Sequence, residues 1–184
     1  MTKETLNSLE VEVFAGEIKL IDSPERIPEA CEKLRQSGII GFDTETKPAF
    51  RKGVVNNVAL LQLSTIDTCY LFRLNKIDMP PCLINILADS KIKKIGLSLK
   101  DDFNALSKTY SFRPSNFVEI QTLATQFGME EQSLQRIYAV LFNKRIAKGQ
   151  RLTNWEAKEL SEAQQMYAAI DAWACLRIYE KLSC

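Results

Sequence analysis

The stretch IIGFDTET (residues 39–46) runs an apolar strand straight into two carboxylates, Asp43 and Glu45. Strand residues two apart point to the same side, so the two acids stand together at the end of a buried segment. Neighbouring carboxylates repel, and one of such a pair tends to keep its proton. Two arrangements relieve the repulsion: a solvated strand-end turn, where Asp and Thr are common, or a divalent cation between the acids. On this segment alone the two are level.

The rest of the chain supplies a frame for that strand. EIKLIDS (17–23) reads as a strand, and residues 23–38 read as a helix with Ser23 as N-cap, Pro24 in the first turn and Gly38 at its stop. VALLQLST and TCYLFRL are strands separated by a short Ile-Asp connection, which predicts a hairpin. A helix at PPCLINILAD, a strand at KIKKIGLS and a helix at SLKDDFNALSKTY follow. FVEIQTLATQF begins as a strand and continues as a helix to Gly128, and SLQRIYAVLFNK is helical. The longest helix is SEAQQMYAAIDAWACLRIYEKL, opened by a Ser161…Gln164 capping box. Strands interspersed with helices, then mostly helices, predict an α/β or α+β layered domain.

With 184 residues, 46% of them hydrophobic, one domain over 1–184 is expected, its residues 1–16 peripheral or poorly ordered. The formal charge of +1 gives no global sign of a polyanionic partner, so any basic site is local. Histidine is absent, which excludes Ser-His-Asp, Cys-His and His-ligated metal chemistry. The five cysteines are scattered without a C-x-x-C, as expected of reduced thiols in a cytoplasmic protein. There is no N-terminal signal peptide and no apolar run near the roughly 18 residues of a membrane span, so no membrane association is expected.

Two more elements carry acids at interior edges. In GLSLKDDFNAL (96–106), Leu99, Phe103, Leu106 and Tyr110 form one helical stripe. Asp102 lies about 60° from its centre, while Asp101 falls on the opposite face as a first-turn acid that complements the helix dipole. In YAAIDA (167–172), Asp171 follows Tyr167 by one turn, so phenol and carboxylate are neighbours. Each acid has a bland alternative: Asp102 as a cap or a lysine's partner, Asp171 as a half-buried core residue. Three elements aiming acids inward together favour two divalent ions roughly 4 Å apart. All-oxygen ligands suit Mg²⁺ or Mn²⁺.

FDTET, then KIGLSLKDDFNAL, then NW…LSEAQQMYAAIDA resembles the DEDD superfamily of 3′–5′ exonucleases, over roughly residues 18–182. The Tyr-x-x-x-Asp spacing is similar to that of the tyrosine-bearing branch, which includes ribonuclease D and the Werner-type exonuclease domains; the other branch carries histidine where this chain has Tyr167. The resemblance implies a ribonuclease H-like fold, a mixed five-stranded sheet flanked by helices. It implies Asp43, Glu45, Asp102 and Asp171 as metal ligands and Tyr167 as the group that holds or deprotonates the attacking water. The implied reaction removes nucleoside 5′-monophosphates from a nucleic-acid 3′ end. The segment after Trp155 lacks an Arg-Pro pair often found in ribonuclease D relatives, and no C-terminal helical domain of that kind follows. Both tilt the expectation toward the Werner-like group, and DNA somewhat over RNA. The alternative is a non-catalytic nucleic-acid-binding module on the same fold, which loss of an acid would favour; none is lost.

Basic residues supply a candidate grip on the strand. NKRIAKGQR (143–151) holds Lys144, Arg145, Lys148 and Arg151 and no acid. A second loop bears Lys47, Arg51 and Lys52, immediately after the first motif. Trp155 is expected to pack a helix start in preference to stacking on a base.

Overall fold

The computed structural model describes every residue except Lys52 and Cys184. The expected role of Lys52 therefore lies outside the described residues.

A short helix α1 (Lys3–Ser8) precedes strand β1 (Glu17–Ile21), a 3₁₀ turn (Pro24–Arg26) and helix α2 (Ile27–Ser37). Gly38 ends α2 with φ +68°, a left-handed conformation that glycine takes without a Cβ penalty. Strand β2 (Ile39–Thr46) follows, then β3 (Val58–Ser64), β4 (Thr68–Phe72), α3 (Leu74–Ile77) and α4 (Pro81–Ala88). The second half holds β5 (Lys93–Gly96), α5 (Leu99–Leu106), β6 (Phe117–Glu119), α6 (Ile120–Gln126), α7 (Leu134–Phe142) and α8 (Glu162–Ser183). Among the described residues no helix is long and apolar enough to cross a membrane.

The strands form one mixed sheet in the order β1-β4-β3-β2-β5-β6. β2, β3 and β4 pair antiparallel, and β1, β5 and β6 join parallel. The sheet has six strands where the resemblance implied five. One edge is the three-residue strand at FVE, where the sequence predicts a strand start. Alternating side chains of β2 divide the core. Ile40 and Phe42 join α2, α4 and α5 on one face, while Leu60 of β3, Ile95 and much of α6, α7 and α8 pack on the other. Every residue of β3 is buried, as a central strand covered on both faces requires.

The N-terminal segment is not peripheral. Leu6 and Phe14 are buried, and Phe14 meets Trp173 edge-to-face with centroids 5.6 Å apart. Val11 bridges to Arg145, drawing residues 9–14 against the 143–151 loop. Apolar residues spaced too irregularly to show a period still pack well once α8 offers them a surface.

Gly41 fixes how closely α8 approaches β2. A methyl group there would drive into the main-chain carbonyl of Ala172, and the partner atom is backbone, which cannot swing aside. Gly41→Ala is therefore expected to destabilise the fold by about 3 kcal/mol, the upper end for overpacking. It would also push away the helix that carries Tyr167 and Asp171. Chemical denaturation measures the first effect; a variant within about 0.5 kcal/mol of the parent would show that α8 does not sit this close.

Candidate active site

Asp43 and Glu45 leave the same face of β2, as their spacing requires, and that face looks at α8. Asp171 lies on the first half of α8, a helix buried almost all round from Ala168 to Leu176. The capping box holds that helix start as the sequence predicts: Gln164 N–H donates to Ser161 Oγ at 3.2 Å and Ser161 N–H donates to Gln164 Oε1 at 3.1 Å. Carboxylate oxygens of Asp43, Glu45 and Asp171 come within 4.8 Å of one another. That is the spacing at which one cation touches all three, and hard oxygen donors suit a hard divalent ion.

Asp102 stands next to this trio without joining it. Its carboxylate accepts a hydrogen bond from Thr44 Oγ1, between the two acids of β2. Asp101 is exposed and Asp102 half-buried, which matches the helical phase read from the sequence. α5 stops at Leu106, so Tyr110 lies beyond the helix whose stripe it was expected to extend.

A residue the sequence reading did not single out holds α5 in place. Glu119, at the end of β6, accepts from the N–H groups of Ser98 at 3.0 Å and Leu99 at 2.8 Å. It also accepts from Gln121 N–H at 3.2 Å as the N-cap of α6. One carboxylate thus serves two helix starts, where unpaired N–H groups favour negative charge. An acid directly before a helical run is the signal that marks it.

Burial and mutual repulsion act together on the four acids. The Asp43 carboxyl is pushed well above the ordinary carboxylate range, first by burial and then by Asp171, Asp102 and Glu45. Glu45 rises to about 9 by burial and the charges of Asp171 and Asp102, with Arg151 pulling the other way. Asp102 reaches about 7 through burial, against the Thr44 hydrogen bond. Asp171 also reaches about 7 through burial, against Tyr167 and Lys148. Among the described residues none of the four forms an ion pair with a lysine or arginine. A cluster of four acids that Lys148 and Arg151 offset only in part is the environment in which an external divalent cation is stabilising.

These shifts fix a pH dependence. Each acid binds its proton more tightly in the folded state than in the unfolded chain, where carboxylates titrate near ~4. The native state then carries the excess protons from pH ~4 up to the raised values, so stability falls as pH climbs through that window. In EDTA the melting temperature is expected to drop from pH 5 to pH 9. Saturating Mg²⁺ or Mn²⁺, which binds only the ionised native cluster, should flatten or reverse the drop. Thermal melts with and without the ion check this; equal declines in both would detach the effect from these acids.

Tyr167 sits beside Asp171, with its ring 6.0 Å from that of Trp155. Trp155 is fully buried and packs against the tyrosine, leaving no exposed face for stacking. The loop ahead of α8 is pinned by Arg73, which is fully buried and donates to the carbonyls of Ala157 and Lys158. Lys47 pairs with Glu156 of the same loop at 3.2 Å, so it is engaged with the protein.

The basic loop divides. Lys144 Nζ pairs with Glu12 Oε1 at 3.1 Å, Tyr138 Oη donates to the other Glu12 oxygen at 2.8 Å, and Arg145 Nε donates to Leu9 O at 3.1 Å. These two cations hold the N-terminal segment. Lys148 and Arg151 instead line a cleft of about 430 Å³ together with Asp43, Tyr167 and Asp171. Ser133 and Gln135, at the start of α7, form part of its other wall.

A family profile described as 3′–5′ exonuclease matches residues 18–184. The mouse bifunctional 3′–5′ exonuclease/ATP-dependent helicase WRN is 32% identical over 156 residues, 82% of this chain and 11% of WRN. A 3′–5′ exonuclease of Arabidopsis thaliana is 32% identical over 158 residues, covering 82% of this chain and 55% of the relative. The chain thus spans about half or less of the length of these two relatives. Among solved structures, the EXO domain of Aedes aegypti Nibbler superposes with a TM-score of 0.83 at 22% identity, covering 94% of this chain and 91% of that one. That likeness shows the fold.

Proposed function

We propose, for a chain that belongs to the 3′–5′ exonuclease family, that the cleft cuts the terminal phosphodiester of a nucleic-acid strand and releases nucleoside 5′-monophosphates from its 3′ end. The observation that carries this reading is the meeting of Asp43, Glu45 and Asp171 from two separate elements, in one cleft with Tyr167 and two cations. Divalent ions held by these acids, with Asp102 completing the set, would activate water and offset charge on the leaving 3′ oxygen.

The chain's own groups do the rest. Burial, Asp171 and Glu45 all push the Tyr167 phenol well above its ordinary value. It stays protonated near neutral pH, so its role is to donate a hydrogen bond and orient the attacking water, and taking a proton from that water is left to other groups. Trp155 behind the ring keeps that hydroxyl aimed. Lys148 and Arg151 sit where a scissile phosphate would otherwise face only carboxylates, and Arg151 brings a planar fork suited to phosphate oxygens.

The division of the basic loop sharpens the expectation for binding. Lys148→Ala and Arg151→Ala should each weaken strand binding and reduce the salt slope by about 0.7. Lys144→Ala should leave the slope unchanged and lower the melting temperature through the loss of Glu12's partner. Titrations at several salt concentrations check this, and a Lys144 slope change as large as that of Lys148 would reassign the loop.

A small preference for DNA over RNA rests on the missing Arg-Pro pair after Trp155. The function is tested by digesting 3′- and 5′-labelled single strands, duplexes and overhangs of both nucleic acids with Mg²⁺, Mn²⁺ or EDTA. Ion-dependent, stepwise loss from the 3′ end is expected. Internal cuts, loss from the 5′ end, or no cleavage of any strand would contradict the reading.

A further inference from the structure

Gln62 stands in the middle of β3, fully buried, and neither Nε2 nor Oε1 of its carboxamide has a hydrogen-bond partner among the described residues. Buried polar groups are paired almost without exception, because leaving water without a new partner is costly. Arg73 and Trp155 each leave one buried nitrogen unpaired, and the other two guanidinium nitrogens of Arg73 meet carbonyls. Among the described residues, Gln62 alone leaves its whole polar end free.

The register of the sheet says what this amide is near. Gln62 is the direct cross-strand partner of Asp43 in the antiparallel β2–β3 pair. Residues opposed in this way point to the same face, with Cβ atoms roughly 5 Å apart. Leu61 and Leu63 pack with α2, α4 and α5, whereas Leu60 packs on the α8 side. By the two-residue repeat Gln62 therefore points to the α8 side too, the face from which Asp43 and Glu45 leave β2. An N–H group without an acceptor thus lies beside a carboxylate, the strongest acceptor it could meet.

We propose that Gln62 is a positioning residue for Asp43: its amide N–H donates to the Asp43 carboxylate when a divalent ion is held by the acids, and so fixes that carboxylate as a ligand. The inference rests on the exonuclease reading above and adds a residue to its ion site. Carboxylates that hold an ion are themselves hydrogen-bonded, and loss of such a partner weakens the ion roughly 10–100-fold. An amide suits this position. A lysine there would neutralise Asp43 and compete with the ion, and an apolar side chain would leave the carboxylate free to turn. β3 is a central strand with every residue buried, so the donor is held on a rigid element. The unpaired amide is then a cost borne by the ion-free fold and relieved when the site is loaded.

Gln62→Met keeps the length and nearly the volume of the side chain and removes the amide. In EDTA this variant is expected to melt at or above the temperature of the parent, since it sheds two unpaired buried atoms. The Mn²⁺ concentration giving half-maximal thermal stabilisation should rise about tenfold. The concentration giving half-maximal cleavage of a 3′-labelled strand should rise by the same factor, with cleavage at saturating Mn²⁺ within about threefold of the parent. In the ¹⁵N-labelled parent, the side-chain N–H pair of Gln62 is the one missing from the spectrum of Gln62→Met. That pair should shift on addition of Mg²⁺, with the same midpoint as the backbone amides of Asp43 and Glu45. A merely structural glutamine would do the reverse: Gln62→Met would melt well below the parent in EDTA, or Mn²⁺ half-saturation would stay unchanged. Either result would overturn the inference, as would a Gln62 N–H pair that stays still while the Asp43 and Glu45 amides shift, and the exonuclease reading would remain in place. A parent that neither responds to Mg²⁺ or Mn²⁺ nor releases anything from a 3′ end would overturn both.

Discussion

Asp43→Asn is expected to lower strand cleavage by at least ~10³-fold, about 4 kcal/mol of barrier, while raising the melting temperature of the ion-free protein. The two effects have one cause. Asp43 is the acid on which burial and three neighbouring carboxylates converge. Asparagine keeps the shape and removes the charge, so the ion-free fold loses a repulsion and gains stability of about 1 kcal/mol, a few degrees in a domain of this size. With the charge goes a ligand of the three-acid site. A residue that merely supported the fold would give the opposite stability sign. Asp102→Asn should cost similar activity, because Asp102 stands beside the trio and accepts from Thr44. Asp101→Asn, exposed on the opposite face of α5, should stay within a few-fold of the parent. Single-turnover assays beside melts in EDTA separate these cases. An active Asp43→Asn, or a Asp101→Asn as impaired as Asp102→Asn, would break the assignment.

Tyr167→Phe is the second large effect, a loss on the order of 10² in turnover. The variant loses only an oxygen, since its ring stays packed against Trp155. A phenol that orients water without taking its proton contributes less than a general base would, which places the loss at the lower end for proton-handling groups. Strand affinity should remain within about threefold, because the phosphate contacts belong to Lys148 and Arg151. Single-turnover cleavage at saturating enzyme reads the chemical step directly. A folded variant within threefold of the parent would leave the four carboxylates as the whole machinery.

The acid constellation was legible because each of its parts obeys a short period. Asp43 and Glu45 share a face by the two-residue repeat of a strand, Tyr167 and Asp171 by one turn of a helix, and Asp102 by the phase of its stripe. These rules need no knowledge of what lies across the sheet. Long-range partners carry no such mark. Lys144 meets Glu12 from 132 residues away, and nothing local distinguishes it from Lys148, which faces the cleft. Glu119 serves amides 20 and 21 residues earlier, so its role depends on β5 and β6 being neighbours. The N-terminal segment looked peripheral because Leu6 and Phe14 show no period, and only the surface of α8 and its neighbours makes them core. The strand at FVE follows from its own residues, whereas the number of strands expected from the resemblance, five, falls one short of the sheet.

The most direct test of the account is a crystal structure with Mn²⁺ and a short single strand whose terminal linkage is an uncleavable phosphorothioate. The account predicts anomalous peaks among Asp43, Glu45, Asp102 and Asp171, with the terminal linkage beside them and its oxygens facing Lys148 and Arg151. Mn²⁺ found only at other residues, or a strand bound with its 3′ end away from these acids, would contradict it.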